Sequence, residues 1–116
     1  MKGRALAALL LLVLGASAAQ QWWLGSSERR AGERLAALAR PGDIRMLSSE
    51  VCVFCDAARR TLKAHRVPFD ECLIERDAQC KLLYEATMAR GTPTLLVRGQ
   101  IQVGFDLRRV AAALQG

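Results

Sequence analysis

The chain has 116 residues, 52% of them apolar and 24% charged, with 17 Lys and Arg against 11 Asp and Glu for a net charge of +6. That length allows one domain at most, and 9 glycines with 3 prolines are too few for a low-complexity or collagen-like chain. No period of roughly 20–50 residues recurs, which excludes a solenoid or propeller array.

At the N-terminus, Lys2 and Arg4 precede an apolar run over residues 5–14, followed by Gly15-Ala16-Ser17-Ala18 and the polar pair Gln20 and Gln21. This is the layout of an export signal over residues 1–18, with Ala16 and Ala18 placed for a cut that leaves Ala19 first. The alternative is a retained membrane anchor over residues 1–24. Residues 5–24 are long enough to cross a bilayer with Trp22 and Trp23 at its interface, although two glutamines lie inside that span. In both readings the positive end stays inside and the rest of the chain faces an oxidising, extracytoplasmic or periplasmic space. Losing residues 1–18 removes Lys2, Arg4 and no acid, so the net charge falls from +6 to +4. The remaining basic residues, such as Arg29, Arg34, Arg59, Lys63 and Arg108, fall on separate candidate helices without interleaved aromatics. That is a solvated surface, not a nucleic-acid site.

Residues 19–43 read as a linker with a spacer helix. Ser27 can cap it, Leu35 and Leu38 lie three apart, and Pro41 and Gly42 stop it; alone it buries too little to be a domain. From residue 44 the apolar period alternates. Residues 44–48 form a short strand, residues 53–66 have helical spacing through Ala57, Ala58 and Leu62, and residues 68–74 form a strand that starts on Pro68, where a missing donor is tolerated. Residues 77–90 read as a helix capped by Asp77, with Leu82, Leu83, Tyr84 and Met88 inward. Residues 93–97 and 101–103 are strands separated by Arg98-Gly99-Gln100, a hairpin signal. Asp106 caps a final helix through Leu107, Val110, Ala111 and Leu114. Strands linked through helices run parallel and the hairpin adds an antiparallel strand, so residues 44–116 form an α/β domain with a mixed sheet flanked by helices.

The sharpest local feature is Cys52-Val53-Phe54-Cys55, at the junction of the first strand and the following helix. There the first thiol meets unsatisfied N–H groups and the positive end of the helix dipole, which favours the thiolate, and such motifs lower the pKa to about 3.5–7.5. Cys52 would attack a disulfide and Cys55 would resolve the mixed disulfide; the reverse sequence would donate a disulfide. C-x-x-C is also half a zinc site. The second pair, Cys72 and Cys80, is C-x7-C and not the two-residue knuckle of a zinc ribbon, which weakens the metal reading. Cys72 near the end of a strand and Cys80 in the first turn of the next helix can come within bonding range, a structural disulfide worth roughly 2–3 kcal/mol by loop entropy. Two free thiols, or a second exchanging pair that relays electrons from Cys52 and Cys55, are the alternatives.

His65 reads as a solvated residue at a helix C-terminus and not as a base. Phe54 would be partly exposed and able to contact substrate, Phe69 in the core, and Phe105 a groove wall.

Ser48, Cys52-Val53-Phe54-Cys55, Gly91-Thr92-Pro93-Thr94-Leu95 and Gly104-Phe105-Asp106, in that order, resemble the glutaredoxin-like branch of the thioredoxin superfamily over residues 44–116. The resemblance implies a thioredoxin-like, glutaredoxin-type four-stranded mixed sheet flanked by helices. It also implies a cis peptide bond before Pro93 beside Cys52, a Thr92 backbone that pairs with the substrate cysteine as an added strand, and Gly104, Phe105 and Asp106 beside the same groove. Val53 stands where glutaredoxins usually carry proline, so no redox potential carries over from a superfamily that spans about −270 to −120 mV. Gly104-Phe105-Asp106 is similar to glutaredoxin-like proteins that do not depend on glutathione. The expected protein is therefore an exported, monomeric thiol–disulfide oxidoreductase that uses Cys52 and Cys55. It would act on protein disulfides or small-molecule thiols with no metal and no cofactor other than glutathione, whose use stays open, and a membrane electron donor is a candidate partner. The alternative is a noncatalytic protein that holds a metal or a partner through the same cysteines.

Overall fold

A computed structural model describes residues 2–116. The chain divides into two units, residues up to Arg30 and Ala31–Gly116. The first unit is wholly helical and belongs to α1 (Lys2–Leu38). Leu6, Leu9, Leu10, Leu12 and Leu14 are exposed there on every side of the helix, as are Trp22 and Trp23, and the helix is long and apolar enough to cross a membrane. Ser27 does not cap a helix but lies inside α1. Without a proline before Pro41 no N–H is lost, and Ser26 Oγ donates back to the Trp23 carbonyl at 3.1 Å without ending the helix.

In the second unit, β1 (Ile44–Ser48), α2 (Val53–Ala64), β2 (Asp70–Leu73), α3 (Ala78–Ala86), β3 (Thr94–Val97), β4 (Gln100–Val103) and α4 (Leu107–Gln115) follow in order. The sheet order is β2-β1-β3-β4, with β1 parallel to β2 and antiparallel to β3, and β3 antiparallel to β4. The β3–β4 hairpin closes through Arg98 and Gly99, both at positive φ, with Val97 opposite Gln100. That is a two-residue turn whose twist matches the strands, and Gly99 supplies one left-handed position without a Cβ penalty.

Alternation along the strands sends Ile44, Met46, Leu95 and Val97 to one face, where they pack with Ala58 and Leu62 of α2, Val110, Ala111 and Leu114 of α4, and Leu35. The compact unit therefore begins at Ala31 and not at residue 44: the last turns of α1 belong to its core, with Leu35 at 0% exposure. An ideal Cβ at Gly32 would overlap the imidazole of His65, so glycine is what lets α1 approach the end of α2 this closely. His65 is accordingly half-buried at the C-cap of α2 rather than freely solvated. Leu35→Ala is expected to lower the unfolding free energy by about 2–5 kcal/mol, read from urea denaturation, because the vacated volume is enclosed on all sides. A loss under about 0.5 kcal/mol would mean that this turn does not belong to the core.

On the other face, Leu47 lies opposite both Thr94 and Cys72, and Cys72 is joined to Cys80 of α3. That bond sets the rotation of α3: Cys80, Leu83, Tyr84 and Thr87 face inward at helical spacing. Leu82 is consequently 66% exposed, contrary to its expected inward position. Asp77 caps α3 by accepting from the N–H of Gln79 and Cys80, but the helix stops at Ala86, short of the expected residue 90. Met88, beyond that stop, has φ +61 and points out. β2 likewise begins at Asp70 and not at Pro68, since the chain first leaves α2 through a Val67 N–H bond to the Leu62 carbonyl.

Candidate active site

Cys52 is the N-cap residue of α2, in extended conformation, and its Sγ accepts from the Cys55 N–H at 3.0 Å. It is joined to Cys55 by a disulfide with the Cα atoms 5.2 Å apart. Cys52 is 9% exposed and Cys55 0%, so an incoming sulfur reaches the first before the second. The Thr92–Pro93 peptide is cis and brings Thr92 against the same sulfur: its Oγ1 donates to Cys52 Sγ at 3.3 Å, and its carbonyl oxygen lies 3.4 Å away. In the disulfide the sulfur has no proton and only accepts. On reduction, one backbone N–H, one hydroxyl and the dipole of α2 favour negative charge on Cys52, while the Thr92 carbonyl and the burial of the sulfur oppose it. Thr92→Val, which removes the hydroxyl and keeps the shape, is expected to raise the pH midpoint for alkylation of reduced Cys52 by about one unit, the effect of one charge-assisted bond of about 1.4 kcal/mol. An unchanged midpoint would leave the hydroxyl without a role.

Two polar clusters hold this end of the sheet. Buried Ser48 donates to Glu71 Oε2 at 2.7 Å, and Arg59, one turn beyond Cys55, grips Glu71 through Nε at 2.7 Å and Nη2 at 2.6 Å. Arg59 holds the Glu71 carboxyl below its usual range, with Ser48 assisting against desolvation, and Glu71 raises the Arg59 guanidinium in turn. Arg59 also binds Asp56 at 2.9 Å. The second cluster ties the loop before Cys52 to the loop after β2. The Glu50 N–H donates to Glu75 Oε2 at 3.1 Å, Ser49 Oγ donates to the same carboxylate, and Arg76 pairs with Glu50. The Ser49 hydroxyl, then the Glu50 N–H, keeps the Glu75 carboxyl low.

The remaining candidate residues divide. Gly104, at φ +79, donates its N–H to the Pro93 carbonyl at 2.8 Å and so lies beside the cis peptide. Phe54 is 76% exposed on the first turn of α2. Phe105 and Phe69 are half-buried and pack against the core. The Asp106 carboxylate caps α4, accepting from the N–H of Arg108 and Arg109 at 2.9 and 3.0 Å. Cys72 and Cys80 form the second disulfide, with Cα atoms 6.0 Å apart. Among the described residues no group of three or more His, Cys, Asp or Glu is placed to hold a metal ion. The Thr92 hydroxyl and the Ser49–Glu75 and Ser48–Glu71 bonds escaped the sequence reading. Threonine before proline was the one local signal; the others join residues more than twenty positions apart.

With this geometry in hand, the sequence profile of the glutaredoxin family matches residues 44–102, just over half of the chain. The chain belongs to the glutaredoxin family. Its solved structural relatives include a point mutant of the thioredoxin-like protein BC3987, 25% identical, covering 64% of this chain and 96% of that one with a TM-score of 0.55. The glutaredoxin from Methanosarcina mazei Go1 is 21% identical over 63% of this chain and 78% of its own, with a TM-score of 0.54. The holo form of glutaredoxin C1 from Populus tremula x tremuloides is 17% identical over 78% and 96%, with a TM-score of 0.52. The last two establish the fold alone. No curated protein sequence matches the chain. The family profile stops at residue 102, so Gly104, Phe105 and Asp106 lie outside it. Within it, the paired Cys52 and Cys55 of this glutaredoxin-family domain support a thiol–disulfide redox function.

Proposed function

We propose that the chain is an extracytoplasmic thiol–disulfide oxidoreductase in which Cys52 is the attacking thiol and Cys55 the resolving one. The observation that carries this reading is the position of Cys52 Sγ, which caps α2 and accepts from both the Cys55 N–H and the Thr92 hydroxyl. Cys52 thiolate attacks a substrate disulfide, forms a mixed disulfide and expels one substrate thiolate. Cys55 then attacks Cys52 Sγ and releases the second, so two electrons leave the dithiol and Cys52–Cys55 is oxidised. Run backwards, the same steps donate a disulfide. The apolar helix at the N-terminus supports export or anchoring, since it is long enough and apolar enough to cross a membrane. The paired Cys72 and Cys80 suit an oxidising compartment. A monomer supplied with electrons through a membrane donor fits this placement.

Cys55→Ser tests the reading. The variant is expected to accumulate mixed disulfides at Cys52 with added disulfide substrates, visible as mass adducts that dithiothreitol removes. A reduced protein that holds stoichiometric zinc through Cys52 and Cys55 and traps nothing would instead be a noncatalytic carrier.

A further inference from the structure

We infer that the substrate of this site is a protein cysteine flanked by apolar residues and not glutathione; the inference rests on the thiol–disulfide reading above. Cys52 is 9% exposed, while its neighbours Val51 and Val53 are 93% and 76% exposed and Phe54 is 76% exposed. A sulfur that reaches Cys52 therefore passes over an apolar rim that nothing in the second unit covers, and apolar partner atoms gain by displacing its water.

Charged groups on the segments that flank Cys52 and Gly104 already hold internal partners. Glu50 is paired with Arg76, Asp56 with Arg59, and Glu75 with the Ser49 hydroxyl and the Glu50 N–H. The Asp106 carboxylate caps α4, and Arg109 beside Gly104 donates to the Val103 carbonyl at 3.1 Å. Glutathione carries two carboxylates and an ammonium group. On this rim those groups would lose water and meet charges that must first leave their own partners. An uncharged, apolar segment meets no such cost. The exposed Arg90, two residues before Thr92, is a cation that a carboxylated small thiol could use instead.

The test uses the full chain, reduced, in detergent micelles. Three mixed disulfides with thionitrobenzoate are compared: a short peptide with Val, Leu and Phe around one cysteine, the same length with Ser and Glu, and glutathione. Attack by Cys52 thiolate breaks the S–S bond, thionitrobenzoate leaves as the coloured anion with the electron pair, and Cys55 then displaces the peptide thiolate, which takes a proton from water. The apolar peptide is expected to show a second-order rate constant for thionitrobenzoate release about tenfold above both others. In the double variant Val53→Ser with Phe54→Ser the advantage over the Ser/Glu peptide is expected to fall to about twofold or less. Both side chains are exposed, so the fold survives their removal, and circular dichroism checks it. Glutathione reacting as fast as the apolar peptide overturns the inference, and loss of that rate in Arg90→Gln would identify recognition by charge instead. An unchanged peptide preference in the double variant also overturns it. If none of the three, nor hydroxyethyl disulfide, oxidises the dithiol, it is the redox reading itself that fails.

Discussion

Cys52→Ser is expected to lower disulfide exchange by roughly 1,000-fold or more, read as the rate of hydroxyethyl disulfide reduction under saturating dithiothreitol. The helix terminus and the Thr92 hydroxyl lower the energy of an anion at this position, but a serine hydroxyl starts so far above a thiol in pKa that two hydrogen bonds and a dipole do not bring it into range near neutral pH. Cys55 does not replace it: it is fully buried, and the donors that face Cys52 Sγ do not face it. Cys55→Ser, by contrast, keeps the first chemical step and loses the second, so the two variants differ in kind. Retention of more than about a tenth of the wild-type rate in Cys52→Ser would move the chemistry to another thiol.

The second large effect is on stability. Replacing Cys72 and Cys80 together by alanine is expected to lower the unfolding free energy by about 2–3 kcal/mol, the loop entropy of a short closed segment. In a unit of this size that corresponds to a fall in Tm of roughly 10–20 °C. The measurement compares oxidised proteins, so that Cys52–Cys55 stays closed in both. The bond anchors α3, whose burial is otherwise slight, Cys80 being its fully buried residue. The segment between the two cysteines also carries Glu75 and Arg76, which hold Ser49 and Glu50 ahead of Cys52. The variant is therefore expected to show faster hydrogen exchange in residues 49–51 as well. A change of less than about 0.5 kcal/mol would mean that the cross-link contributes little to stability.

Much of this protein was written in local pattern. The alternation of strand and helix periods from Ile44 onward, the caps Asp77 and Asp106, the presence of a hairpin around Gly99, and a thiol opening α2 each depend on residues within about one helical turn or one hairpin and are readable along the chain, although the turn is one residue shorter than expected because Gln100 already pairs in β4. Tertiary structure decided what joins distant segments. Leu35 looked like one leucine of a weak spacer, yet it lies in the core because Gly32 lets α1 close on His65. Leu82 and Met88 fitted a helical stripe, but the bond from Cys80 to Cys72 sets which side of α3 faces the sheet, and the helix ends before Met88. The Thr92 hydroxyl reaches Cys52 across forty positions. Periodicity states which residues want burial; only the order β2-β1-β3-β4 brings β3 and β2 to either side of β1, and with them the hydroxyl that meets Cys52 Sγ and the carboxylates and second disulfide that hold this end of the sheet.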